Sequence, residues 1–225
     1  MLRQVGEIMQ NKEQRSFILS MVLGDGCLHN TSNNVSGSLT IDHGIEQSDY
    51  INWKARFLSE VTSRNIKTRN GHKGKSIQLS VCMKKFKAWR KFCYPNGKKV
   101  LTRILPFITN PEFAIAIWLM DDGYVETNGD RKGAKFRLYT CSEPIKDQEF
   151  FIEWFKKNLN VCPRIAYQKK SQANKSYPFL KFTQDDTLFI WEKIRDFVLQ
   201  FNSMKYKFRY VEELYLRKLA QRIPS

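Results

Sequence analysis

The chain repeats itself, and that repetition limits its fold more than any other feature. Residues 18–26 read ILSMVLGDG and residues 115–123 read IAIWLMDDG. Each is an apolar run closed by Asp-Gly, and the two aspartates, Asp25 and Asp122, lie 122 − 25 = 97 residues apart. Further on, Tyr50-Ile51-x-Trp53 answers Phe151-Ile152-x-Trp154 at an offset of 101, and Leu79-x-Val81 answers Leu180-x-Phe182 at the same offset. One short match is weak. A helix-like and a strand-like match at one offset together indicate two copies of one folding unit. Pro106, Asn110 and Pro111 punctuate the join, which divides the chain into residues 1–105 and 106–225.

Each copy reads as mixed α and β. Residues 12–24 form an apolar helical run, with Gly26 just beyond it as a stop signal. Residues 38–43 (SLTIDH) and 77–82 (IQLSVC) alternate apolar and polar, as half-buried strands do. Between them, residues 49–62 have helical spacing through Tyr50, Trp53, Phe57, Leu58 and Val61, and residues 83–92 form a short basic helix. The second copy gives helix at 111–121, strand at 135–141, helix at 145–159, strands at 163–168 and 177–183, and helix at 185–201. Residues 65–76 and 169–176 are polar, basic loops.

Charge narrows the partners. Lys and Arg number 38 against 22 acidic residues, a net charge of +16. Self-repulsion on that scale is relieved by a polyanion, most commonly nucleic acid. The basic residues are spread along the chain rather than gathered on one amphipathic anchor, so a membrane surface is not expected. Residues 1–15 contain no apolar core of the signal-peptide type, and five scattered cysteines form no C-x-x-C pair. The expected location is intracellular, in cytoplasm or organelle matrix, with reduced thiols. His29, His43 and His72 fall in no metal-ligand spacing.

ILSMVLGDG and IAIWLMDDG resemble two degenerate copies of the LAGLIDADG motif of homing endonucleases. Both keep the closing Asp-Gly and the apolar body. They depart at Leu23 and Met120, where the motif has its first Asp, and at Ile117, where it has Gly. The order of elements agrees as well, so the resemblance spans most of the chain. It implies an α+β fold of two pseudo-symmetric αββαββα units whose antiparallel sheets form a DNA-binding saddle, in one monomer. The motif helices would pack side by side through Ser20, Gly24, Ala114 and Ala116. Asp25 and Asp122 would then hold magnesium, for which manganese can substitute, helped by the helix-end residues Gly24 and Asp121. Two adjacent carboxylates need such a cation, and magnesium favours oxygen ligands. Lys99 and Lys207 match the family's basic residue after the last helix of each unit and would orient water or stabilise phosphate charge. Their neighbours Lys98 and Lys205 leave that register open.

The sheets would read the DNA. Thr40, Gln78 and Ser80 in the first copy, and Lys135, Arg137, Tyr139, Arg164 and Gln168 in the second, are the candidate groove-facing residues. In this alternation Phe136 and Leu138 turn to the core. The segment Gly71-His72-Lys73-Gly74-Lys75-Ser76 ends like a phosphate-binding P-loop, but Arg69 stands where that motif needs Gly. The expected activity is metal-dependent hydrolysis of both strands of a long, asymmetric duplex site. The alternatives are an intron-RNA-binding maturase on the same fold and a DNA-binding regulator without catalysis.

Overall fold

The computed structural model describes residues 12–71, 74–127, 133–140, 144–169 and 176–222. These divide into two compact units. One runs to Ile117 and takes in Phe201–Ser203; the other comprises Trp118–Gln200 and the chain from Met204 onward. The first unit contains α1 (Glu13–Leu23), β1 (Cys27–Asn30), β2 (Gly37–Gly44), α2 (Ser48–Thr62), β3 (Thr68–Asn70), β4 (Ser76–Met83), α3 (Lys84–Cys93) and the short α4 (Leu101–Ile104). Helix α5 (Pro111–Asp122) begins in the first unit and ends in the second. There follow β5 (Gly123–Thr127), β6 (Ala134–Tyr139), α6 (Ile145–Leu159), β7 (Arg164–Lys169), β8 (Ser176–Lys181), α7 (Gln184–Leu199) and α8 (Lys205–Arg222). Both units therefore run αββαββα. Their four-stranded antiparallel sheets have matching orders, β1-β2-β4-β3 and β5-β6-β8-β7. No helix among the described residues is long and apolar enough to cross a membrane.

From Ile18 onward helix α1 is apolar on every side because it is buried on every side: Ile18, Leu19, Met21, Val22 and Leu23 are all core. Its polar positions are absorbed locally. Ser20 Oγ donates to the Ser16 carbonyl (2.9 Å), and Ser16 Oγ accepts from the Thr109 amide (2.8 Å). Aromatic rings fill the space beside it: Phe17, Trp53, Phe57 and Phe113 lie 5.0–5.5 Å apart in successive pairs. In the second unit Trp191 stacks on Phe208 at 5.3 Å and Phe155 meets Phe182 edge-on at 5.1 Å.

The Asp-Gly closing each motif has a steric cause. A Cβ on Gly26 would lie 2.4 Å from the Met21 carbonyl oxygen, and one on Gly123 would lie 2.4 Å from that of Leu119. Each strand leaves its helix so tightly that only glycine fits against the last turn. Neither glycine has positive φ, so the expected stop signal at Gly26 acts through close approach.

The strand register preserves the repeat. Ile41 pairs with Leu79, and Leu138 with Leu180. The helix match at an offset of 101 is corrected. Helices α2 and α6 both have fifteen residues and end at left-handed caps, Ser63 (φ 52°) and Asn160 (φ 54°). Their true offset is 160 − 63 = 97. The four extra residues of the second unit fall in the β7–β8 connection. Four residues make about one helical turn, so side chains one turn apart share a face and give a similar pattern.

Three strands went unread in the sequence. β1 and β5 follow the Asp-Gly turns directly, and β3 lies within residues 65–76, expected to be loop. Helix α8 was also unread. Residues 1–11, His72, Lys73, Cys141 and most of the loop expected at 169–176 lie outside the described residues; Cys27, Cys82, Cys93 and Cys162 are free.

Candidate active site

In the first unit Asp25 follows the end of α1, with its side chain 37% exposed. The carbonyl just before it, that of Gly24, accepts a hydrogen bond from Lys99 Nζ at 2.6 Å. A turn after α3 returns Lys99 to this point. Gly97, at φ 76°, donates its amide to Tyr94 O (3.1 Å), and the Val100 amide then reaches back to Cys93 O (2.9 Å). Tyr94 is tied to the motif side, since its hydroxyl accepts from the Leu28 amide of β1 (3.3 Å).

The second unit repeats the construction with other elements. Asp122 is the last residue of α5, half-buried, with Asp121 beside it. Lys207 Nζ donates to the carbonyls of Met120 (2.5 Å) and Asp121 (3.1 Å). Lys207 is carried by α8, which Phe208, Val211 and Leu214 bury. That helix is clamped to α7 by a forked ion pair between Arg195 and Glu212 (2.6 Å), whose carboxylate also accepts from Trp191 Nε1 (2.9 Å). Lys98 and Lys205 are exposed.

A lysine ammonium at the C-terminal end of a helix meets the negative end of its dipole. In both units the carbonyl preceding the motif aspartate holds this cation. The oxygens of Gly24 and Asp121, assigned in the sequence to metal, each accept a lysine ammonium here. Each aspartate and its neighbouring carbonyl form a set of hard oxygen donors, which suits magnesium or manganese. His43, set aside in the sequence as falling in no metal-ligand spacing, lies beside Asp25: its Nδ1 is 3.5 Å from Asp25 Oδ2.

The sheet faces separate as alternation requires. In the first unit Leu39, Ile41, Leu79 and Val81 are buried, while Thr40 pairs with Ser80 and Asp42 with Gln78 on the opposite face. Gln78 is held in a chain missed in the sequence: Arg69 donates to its Oε1 (2.6 Å), and its Nε2 donates to Asp42 (3.3 Å).

In the second unit Phe136 and Leu138 are fully buried, with Lys135, Arg137 and Tyr139 on the other face. Arg137, Lys181 and Arg164 line up as direct partners across β6, β8 and β7. Three aligned cations repel, and Glu126 of β5 answers two of them, pairing with Arg137 and with Lys181 Nζ (2.5 Å). These contacts hold its carboxyl at about 2. The Arg137 guanidinium also lies over Phe179, 5.0 Å from the ring centre. Gln168, opposite Tyr177 on β7, is exposed, as is Arg164. The structure does not gather these residues at one point; they spread along two sheets. The signal for Glu126 was present in the alternation of Tyr124, Val125 and Glu126, but it spans too few residues to stand out.

Comparison with known proteins places this arrangement. "Protein RecA" of Mycobacterium gastri is 30% identical over 142 residues, covering 60% of this chain and 33% of that protein. "Protein RecA" of Mycolicibacterium flavescens is 28% identical over the same shares. The match thus spans about a third of the length of these curated relatives. Among solved structures, the homing endonuclease I-WcaI bound to its DNA recognition sequence superposes with a TM-score of 0.65 at 20% identity, covering 88% of this chain and 86% of that one. The LAGLIDADG homing endonuclease I-GzeII in complex with its DNA target gives 0.54 at 12% identity, covering 94% and 93%. I-DmoI in complex with DNA and Mn gives 0.51 at 15%, covering 81% and 96%. These likenesses show the fold. The model of the LAGLIDADG DNA endonuclease family matches residues 15–189, a stretch that includes both Asp-Gly motifs, and the chain belongs to that family.

Proposed function

We propose that the chain is a site-specific endonuclease that hydrolyses both strands of a long, asymmetric DNA duplex with a divalent metal, acting as a monomer inside the cell. The observation that carries this reading is the duplicated construction: an aspartate at each motif helix end, with a lysine ammonium on the carbonyl before it. The family membership and the DNA-bound neighbours support it. Asp25 and Asp122 would hold magnesium, with manganese as a substitute, through carboxylate and carbonyl oxygens. When bound, the metal supplies a water of lowered pKa and charge stabilisation at the phosphate. Lys99 and Lys207 keep positive charge beside the scissile phosphates, and their carbonyl contacts hold them in place before substrate arrives. The outward sheet residues dock the duplex, with Arg and Gln suited to base edges and Lys to phosphates.

The test is selection of cleaved molecules from a randomised duplex pool, with magnesium and with chelator. Recovery of one sequence class, cut in both strands only with metal, is the expected result. No cutting in any pool, with equal affinity for duplex DNA and folded intron RNA, would favour the maturase reading instead.

A further inference from the structure

A buried lysine stands behind Asp25. Lys54, on α2, is fully buried. Burying an ammonium is costly unless partners replace its water. One partner is the Tyr50 ring, whose centre lies 4.3 Å from Nζ. Another is His43, itself buried, whose Nε2 is 2.9 Å from Lys54 Nζ. An ammonium has donors only, so Nζ–H donates and Nε2 must accept. The imidazole proton then sits on Nδ1. That nitrogen faces two oxygens: Gln47 Oε1 at 2.9 Å and Asp25 Oδ2 at 3.5 Å. The chain of contacts runs from a buried charge, through a ring held in one tautomer, to the carboxylate.

The second unit has no such chain at its matched positions. Counted at the offset of 97, His43 corresponds to Thr140 and Lys54 to Phe151. Thr140 is buried and bonds Gln148 (2.6 Å), a neutral contact, and Phe151 is fully buried.

We infer that Lys54 and His43 are positioning residues for Asp25: Lys54 fixes the Nδ1–H tautomer of His43, and that N–H edge, hydrogen-bonded to Gln47 Oε1, faces the Asp25 carboxylate at 3.5 Å and holds it electrostatically in its ligating orientation. This rests on the reading of Asp25 as an acid of the cleavage site. Partners of this kind typically contribute tenfold to a hundredfold in metal affinity or activity.

Two measurements test it. Long-range proton–nitrogen NMR of the metal-free protein reads the His43 tautomer, and the chain has only three histidines to assign. Nδ1–H is expected in the wild type and its loss in Lys54→Met; Nε2–H in the wild type overturns the inference. In parallel, single-turnover cutting of the selected duplex is compared with DNA affinity. Lys54→Met should cut about tenfold more slowly or worse, with affinity within about twofold. His43→Asn, whose amide N–H replaces Nδ1–H, should cut faster than His43→Ala. Folded Lys54→Met with an unchanged tautomer or rate, or equal loss in the two His43 variants, overturns it. A wild type that cuts no duplex yet shows the Lys54-dependent tautomer would sink the endonuclease reading and leave the Lys54–His43 device standing.

Discussion

On the first unit's outward sheet face stand Thr40, Asp42, Gln78 and Ser80; at the matched positions the second unit has Arg137, Tyr139, Phe179 and Lys181. On the inward face the same comparison gives Leu39 against Phe136, Ile41 against Leu138, Leu79 against Leu180 and Val81 against Phe182, all buried. Packing explains the contrast. Inward side chains must fill a close-packed space, so only apolar exchange is tolerated. Most outward positions are freer, Phe179 being the buried exception. The first unit settled on small neutral groups and an Arg69–Gln78–Asp42 chain, the second on aligned cations bridged by Glu126. On the proposed function, two units with such different outward chemistry are expected to read different DNA and so to favour an asymmetric target.

The largest test of the comparison lies where the units agree. Asp25→Asn and Asp122→Asn should each lower cleavage by orders of magnitude, while DNA affinity stays within about tenfold because phosphate contacts dominate it. Measuring both on one labelled duplex decides the point. If Asp122→Asn cuts normally and Asp121→Asn does not, the acid of the second unit moves by one residue. Next in size, Lys99→Met and Lys207→Met should each slow cutting about a hundredfold with little change in binding. Lys98→Met and Lys205→Met should stay within about twofold, since exposed charges in high dielectric contribute little. A reversed pattern would break the equivalence of the two helix ends.

Much of this was legible in the residues. The Asp-Gly pairs marked the helix ends because glycine alone fits there, and alternation along residues 38–43 and 77–82 marked the central strands. What escaped was short or locally ambiguous. β1, β3 and β5 have four, three and five residues, and their polar positions (His29, Arg69, Glu126) hide one buried contact each or none. Helix α8 buries only a narrow stripe through Phe208, Val211 and Leu214 among many charges, so its periodicity is faint. The match between α2 and α6 was displaced by one turn because a face repeats every turn. His43 and Lys54 were invisible as a pair, since a strand and a helix bring them together across eleven residues.

A smaller effect distinguishes the units by pH. Glu126 has its carboxyl held at about 2 by Arg137 first, against an ordinary 4.5; burial opposes the shift, and Lys181 adds to it. A carboxyl lowered on folding contributes stability that is fully present above pH 4.5 and lost as pH falls toward 2. The matched position in the first unit is His29, which supplies no carboxylate. Urea unfolding followed from pH 6 downward should therefore show an acid-sensitive limb of about 1–3 kcal/mol, flattened in Glu126→Gln. An unchanged limb in that variant would place the acid sensitivity elsewhere.

The smallest effects sharpen the account of how the second sheet meets DNA. Arg137 has five N–H donors, and Glu126 engages its NH2 end, so donors remain for a base edge. Its position over Phe179 keeps the guanidinium plane fixed before DNA arrives. Arg137→Ala should relax base preference at one or two positions by about 1 kcal/mol, the low end for a bidentate contact. Lys135 lies two residues away on the same face, opposite Glu126 on β5, and is read as a phosphate contact. Lys135→Ala should weaken every sequence alike and flatten the plot of log affinity against log salt by about 0.9. The two variants together decide whether this face reads or merely holds. Both depend on Phe136 and Leu138 staying inward, because a slip of one residue would exchange the faces. A base-preference profile unchanged by Arg137→Ala, alongside a lowered salt slope, would make Arg137 a second phosphate contact and move sequence reading to Arg164 and Gln168 on the neighbouring strand.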